Sequence, residues 1–136
     1  MSYYSYTTGD VQIITALNAI SEDTTSSAID VTGAKAIAIQ YTEAGSVNNR
    51  SGVLSVTISP DASTFSTCNM LIDNVTNTNS QTLTRVATKT RATVGTDIVW
   101  LSPEILGALV QLKVAVDVTD GASPVGTFTV KVIIYR

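Results

Sequence analysis

The sequence predicts an all-β fold: a single antiparallel β-sandwich, jelly-roll-like, of eight or nine strands. Three observations lead there. Thr, Val, Ile and Ser alternate with period two over most of the chain, the pattern of half-buried strands. Clusters of Gly, Pro, Asn and Asp interrupt that alternation, and the connections they leave are too short for helical crossovers between parallel strands. No long stretch carries the 3.6-residue apolar period of a helix. At 136 residues one domain is expected, large enough to bury a core without disulfides or metal. The chain is 44% hydrophobic but only 6% aromatic, so Val, Ile, Leu and Ala must build that core.

Residues 1–10 read as an N-terminal arm and residues 11–136 as the sandwich. The first strand spans 11–17, and the polar connector 21–27 leads to a short strand at 28–31, closed by Thr32-Gly33. The strand at 34–43 is clearer: Ile37, Ile39 and Tyr41 point one way, Ala36, Ala38 and Gln40 the other. That second face is small rather than charged, which predicts that something lies close against it. A glycine-flanked loop at 44–52 precedes the strand 53–59, whose Leu54, Val56 and Ile58 share a face. Pro60-Asp61-Ala62 makes a turn: proline presets φ, and the Asp side chain can accept from its downstream backbone. Strands follow at 64–73 and 81–91, separated by an Asn- and Thr-rich loop, and then at 97–102 with the single Trp, Trp100. Residues 102–107 (Ser-Pro-Glu-Ile-Leu-Gly) have the cap, first-turn proline and exit glycine of one helical turn. The last strands, 108–119 and 125–135, are long. They put Leu112, Val114, Val116 and Val118, and Phe128, Val130, Val132 and Ile134, on single faces, and read as a hairpin at the sandwich centre. Trp100 and Phe128 are expected in the core.

The chain has no His and one Cys, which removes Ser–His–Asp, Cys–His and zinc chemistry. Cys68 lies within a strand and reads as a core residue, with no His to lower its pKa. There is no glycine-rich phosphate loop. The carboxylates Asp61, Asp73, Asp117 and Asp120 are the remaining candidates for glycosidase chemistry, and Asp117 and Asp120 for Ca²⁺ binding; Asp61 and Asp120 sit in turn sequences, and no EF-hand spacing exists. An enzyme is not expected, nor any cofactor. The formal net charge of −3 argues against a nucleic-acid partner. The N-terminus lacks the basic and apolar regions of a signal peptide, and no apolar run approaches the roughly 20 residues of a membrane span; no membrane partner is expected.

Two clusters stand out as partner-binding candidates. Arg85, Lys89 and Arg91 share one parity of the strand 81–91 and would line one face as a positive stripe, either a solvated edge or a contact for an acidic surface. Tyr3, Tyr4 and Tyr6 are three of the five tyrosines and precede the first strand; tyrosine supplies contact area at low entropic cost.

Residues 15–20 (Thr-Ala-Leu-Asn-Ala-Ile), Ala28-Ile29-Asp30-Val31-Thr32-Gly33, the strand Ala36 to Tyr41 and the turn Ser59-Pro60-Asp61-Ala62-Ser63-Thr64-Phe65 together carry a resemblance. The chain resembles the small β-sandwich virion proteins of tailed bacteriophages, the capsid decoration and related head or tail accessory proteins. Ala62 departs from the pattern, which has Gly there. The resemblance implies a non-enzymatic virion component, assembled in the host cytoplasm. It would bind the major capsid protein or other virion proteins as a homo-oligomer, with a trimer favoured. A capsid decoration protein that stabilises the outer shell is the leading reading. A self-assembling capsid, tube or filament subunit is an alternative, and a carbohydrate-binding β-sandwich module is another.

Overall fold

The computed structural model describes residues 10–45, 51–77, 80–101, 108–119 and 126–136. Among them run twelve strands: β1 (Val11–Ile20), β2 (Thr24–Thr25), β3 (Ile29–Asp30), β4 (Ala36–Ala44), β5 (Ser51–Ser59), β6 (Ser66–Cys68), β7 (Met70–Asn77), β8 (Ser80–Val86), β9 (Thr88–Arg91), β10 (Gly95–Leu101), β11 (Gln111–Thr119) and β12 (Thr127–Tyr135). They form two antiparallel sheets. Sheet A has the order β1-β12-β4-β10-β7-β8; sheet B has β2-β11-β5-β6, with β3 also on β11 and β9 also on β5.

The count exceeds the expected eight or nine because the chain changes sheets in mid-strand. The stretches read as single strands at 64–73 and 81–91 each divide, at Asn69 and at Ala87. On one side of each break the segment pairs with β5 in sheet B, and on the other it belongs to the β7–β8 hairpin of sheet A. With β2 and β3 taken as one interrupted edge, and β6 to β9 as one elaborated strand, the order becomes 1-8-3-6 facing 2-7-4-5. That is jelly-roll connectivity, so the fold class holds.

The last two strands do not form a hairpin. β12 lies between β1 and β4 in sheet A, and β11 between β2–β3 and β5 in sheet B. Each is central, as their unbroken apolar alternation required, but they sit in opposite layers. Residues 102–107, read as a helical turn, lie outside the described residues.

The core fills the space between the sheets. Ile37, Ile39 and Tyr41 of β4, Leu54 and Val56 of β5, Leu112, Val114 and Val116 of β11, and Phe128, Val130, Val132 and Ile134 of β12 are all fully buried. Cys68 is buried among them, and desolvation pushes its thiol pKa up. At one end the interior turns polar. Glu43 is 1% exposed, and Arg91 pairs with Asp97 at 2.5 Å, with Lys89 3.9 Å from the same carboxylate.

Candidate functional site

Directly opposed residues on antiparallel strands share a face, so the register lays out the outer face of sheet A row by row. One row crosses all six strands: Ile13, Ile133, Ala38, Trp100, Leu71, Arg85. The neighbouring row toward the start of β1 is Val11, Tyr135, Ala36. The next row in the other direction is Thr15, Lys131, Gln40, Ile98, and beyond it lie Thr129, Thr42 and Thr96. The Thr42 and Thr96 hydroxyls are hydrogen-bonded at 3.0 Å. The face is therefore graded, apolar at the end where the chain enters β1 and hydroxyl-lined at the other.

Trp100 belongs to this outer face, which corrects its expected place in the core. It is 40% exposed, whereas Phe128 is fully buried as expected. The Trp100 and Tyr135 rings stack with centroids 6.4 Å apart and planes 24° from parallel. They flank β4 from opposite sides, because Trp100 pairs with Ala38 and Tyr135 with Ala36. Larger residues on β4 would hold the rings apart. Ala38 is thereby reduced to 1% exposure although it points away from the core, which is the close cover that its small, uncharged face predicted.

Around this pair lie Ile13, 63% exposed, with Val11 and Ile98 also open to solvent. Large apolar side chains left in water in one contiguous patch mark an interaction surface. Sheet B contrasts with it. Its outward rows read Thr25, Ala115, Ser55, Thr88 and Lys113, Thr57, Thr67, and Lys113 places its ammonium 4.3 Å from the centre of the Phe65 ring. The outer face of sheet B is built for water, and one end of the outer face of sheet A is not.

The expected positive stripe does not form. Arg85 sits on β8 with its side chain outward, at the end of the apolar row. At Ala87 the chain leaves sheet A, and the inward parity changes from even to odd. Lys89 and Arg91, on β9, consequently turn toward the sandwich interior and Asp97. Tyr3, Tyr4 and Tyr6 lie outside the described residues.

Among the described carboxylates, Asp61 has a defined structural role. Its Oδ1 accepts from Thr64 N–H at 2.8 Å, Ser63 N–H at 2.9 Å and the Ser59 hydroxyl at 2.8 Å. These bonds, led by that from Thr64, pull its pKa down from 3.8 to about 2. Ala62, in place of glycine, still adopts the left-handed conformation, with φ of 63°. Asp73 and Asp120 lie where side chains are not described, and Asp117 is exposed. Among the described residues no three Cys, Asp or Glu side chains gather as a metal cluster. A cleft of about 410 Å³ runs along the open seam between β1 and β2–β3, beside Ile14, Ser27 and Asp30. Arg136 crosses it, donating to Gln12 Oε1, Thr32 O and Asp30 O.

The residues that sequence reasoning missed are Ile13, Ile98, Ile133 and Tyr135. Their signal was an excess of apolar residues at both parities: Ile133 stands between Val132 and Ile134, and Ile98 and Trp100 alternate with Val99 and Leu101.

The fold and site define a class: a jelly-roll β-sandwich with a polar outer face on sheet B and an apolar end to the outer face of sheet A. No protein-family model matches the chain, and no curated protein sequence matches it. Among solved structures, it is similar to the SPBc2 prophage-derived protein YomS, with a TM-score of 0.63 over 93% of this chain and 94% of that one. The two sequences are 14% identical, so the likeness is one of fold.

Proposed function

We propose that this chain is a non-enzymatic structural protein of a bacteriophage particle, specifically a capsid decoration protein that binds and stabilises the outer shell. The observation that carries this reading is the apolar end of the outer face of sheet A, where Val11, Ile13, Ile133, Tyr135 and Trp100 lie together around β4. Such a face suits docking on a protein surface better than holding a small molecule, which calls for a concave site. The similarity in fold to a prophage-derived protein supports a phage setting, as does the sequence resemblance to virion sandwich proteins. The polar face of sheet B would then be the solvent side. The major capsid protein is the proposed partner, with a homo-trimer as the docking unit.

The test is occupancy of purified particles. The chain should be present at high copy number around local symmetry axes. Ile13→Lys and Ile133→Lys should abolish incorporation while leaving the circular dichroism spectrum of the isolated protein unchanged. Absence from particles, or a handful of copies per particle, would sink the decoration reading. Self-polymerisation of the purified chain would favour a shell, tube or filament subunit instead.

The exposed Trp100–Tyr135 pair favours one further reading, a carbohydrate-binding module, because sugars stack on such rings. Its immediate neighbours are aliphatic, however, and give a sugar few hydroxyl partners. Glycan-array binding lost on Trp100→Ala, with the fold retained, would support that reading.

A further inference from the structure

Among the described residues, sheet A ends in an unpaired edge on each side, at β1 and at β8. The far half of β1 carries the usual guards against pairing with another chain. Its register shifts between Thr15 and Leu17 and between Leu17 and Ile20, and Ala19 is left-handed with φ of 50°. The near half has none. Val11-Gln12-Ile13-Ile14-Thr15 pairs with β12 in unbroken register and contains no charge, proline or glycine. On β8 a stretch of the same length, Gln81 to Arg85, is likewise regular against β7. The most exposed large apolar side chains among the described residues stand in these two stretches, Leu83 at 66% and Ile13 at 63%.

The free backbone groups of the two edges match. Successive residues of a strand point their N–H and C=O to opposite sides. The Arg136 N–H donates to the Asp10 carbonyl at 2.8 Å, so Gln12 and Ile14 face β12, while Val11, Ile13 and Thr15 face away. Carried through the registers of β12, β4, β10 and β7, the same alternation turns Gln81, Leu83 and Arg85 away from β7. Every pairing across the sheet is antiparallel, so β1 and β8 run in opposite directions. A copy set beside the first in the same orientation brings its β8 antiparallel to β1, with the outer faces continuous.

We propose that β1 of one copy pairs with β8 of a second copy, extending sheet A from one molecule into the next in the register Val11↔Arg85, Ile13↔Leu83, Thr15↔Gln81. This register uses the whole of both stretches and makes about six backbone hydrogen bonds. It sets Ile13 against Leu83 on the outer face, with Cα atoms about 5.5 Å apart, so each covers the other. A two-fold pairing of β1 with β1 would leave Leu83 and the β8 edge in water. The contact joins two different surfaces, so its repetition closes a ring or continues as a filament. Edge pairing rests on the strands themselves and not on the phage reading; a ring of three would supply the contacts of the trimer proposed above.

Position 13 separates backbone from side chain in the test. Its N–H faces the free edge, where proline is tolerated, so Ile13→Pro should keep the β1–β12 ladder and lose the pairing between copies. Light scattering should give the parent chain a mass of several copies and Ile13→Pro the mass of one, with the circular dichroism spectrum unchanged. Cross-linking identifies the edges. Ile13→Cys and Leu83→Cys proteins, treated with a short bis-maleimide, should couple when mixed and not when either is alone; Cys68 is buried, and the treated parent is the control. A monomeric parent would overturn the proposal, as would an Ile13→Pro protein that associates like the parent. Ile13→Cys protein that couples to itself would overturn it too, and would assign the edge to a two-fold dimer. Should Ile13→Pro fail to fold, the mixed cross-link decides, and its absence overturns the pairing. Cross-linking in solution by a chain missing from particles would remove the decoration reading and leave edge pairing in place; a monomer that decorates particles would do the reverse.

Discussion

Replacing Gly52 with Ala puts one methyl group against two buried aromatic rings. By local propensity the change should help, since glycine within a strand costs about 0.5–1 kcal/mol relative to alanine. The tertiary structure reverses the sign. Gly52 lies on β5 between Arg91 of β9 and Val118 of β11. A Cβ there would stand 2.5 Å from Tyr41 Oη and 2.6 and 2.8 Å from Phe128 Cε1 and Cδ1, where ordinary contact begins near 3.4 Å. Both rings are fully buried, and they meet at a centroid distance of 5.9 Å, so neither can swing into solvent. Overfilling a core costs about 1–3 kcal/mol, occasionally more. With two rings to displace, Gly52→Ala should cost about 3 kcal/mol, which lowers Tm by about 10 °C in a chain of this size. Thermal unfolding followed by circular dichroism measures it. Phe128→Leu in the same chain should recover part of the loss, so a double-mutant cycle should return a coupling of about 1 kcal/mol or more. A Gly52→Ala protein that melts with the parent, or a cycle with no coupling, would refute the reasoning.

Other expectations follow from single residues. Ala62→Gly should raise stability by up to about 1 kcal/mol in urea titration, because the left-handed φ of 63° costs an L-residue about that much or more, and the added unfolded-state entropy offsets only part of it. Asp61→Asn should lose stability at neutral pH. The folded-state pKa of Asp61 lies below its ordinary value, so the carboxylate's contribution is present in full above 3.8 and is lost as pH falls through about 2. The gap between parent and variant should therefore be constant from neutral pH down to that range and close in acid; a gap that persists below it would be incompatible with this account. Tyr41→Phe should cost less than about 1 kcal/mol, since the buried Tyr41 hydroxyl donates to no protein group among the described residues.

Much of the strand architecture was legible in the sequence. In β4 and β11 the alternation assigns inward and outward residues correctly, because only one parity carries large apolar side chains; β12 keeps that pattern as far as Lys131, after which Ile133 and Tyr135 place large side chains at the outward parity too. In β10 both parities are apolar, and periodicity has no means of telling Trp100 and Ile98 from Val99 and Leu101. Val99 and Leu101 face the core because β10 pairs with β4 in the register Val99↔Ile39, a contact between segments distant in sequence. The basic residues fail for a related reason. Arg85, Lys89 and Arg91 share a parity only if the strand is continuous, and the crossing at Ala87 breaks it. Nothing in the residues around Ala87 announces a crossing. It occurs because β9 completes the edge of β5 while β8 pairs with β7.

By itself, then, the sequence determined an all-β sandwich with an aliphatic core, a buried Cys68 and an Asp61 turn. These rest on local alternation, turn chemistry and composition, which act over a few residues. It also determined that the exposed side of β4 is small. Only the tertiary structure decided which side chains come together there. Pairing β4 between β10 and β12 sets Trp100 and Tyr135 on either side of Ala38 and Ala36, and joins them to Ile13 and Ile133 in one apolar surface. Register between strands far apart in the chain is a global property, because it is settled by filling the core between two sheets. The surface most suited to a partner is a by-product of that settlement.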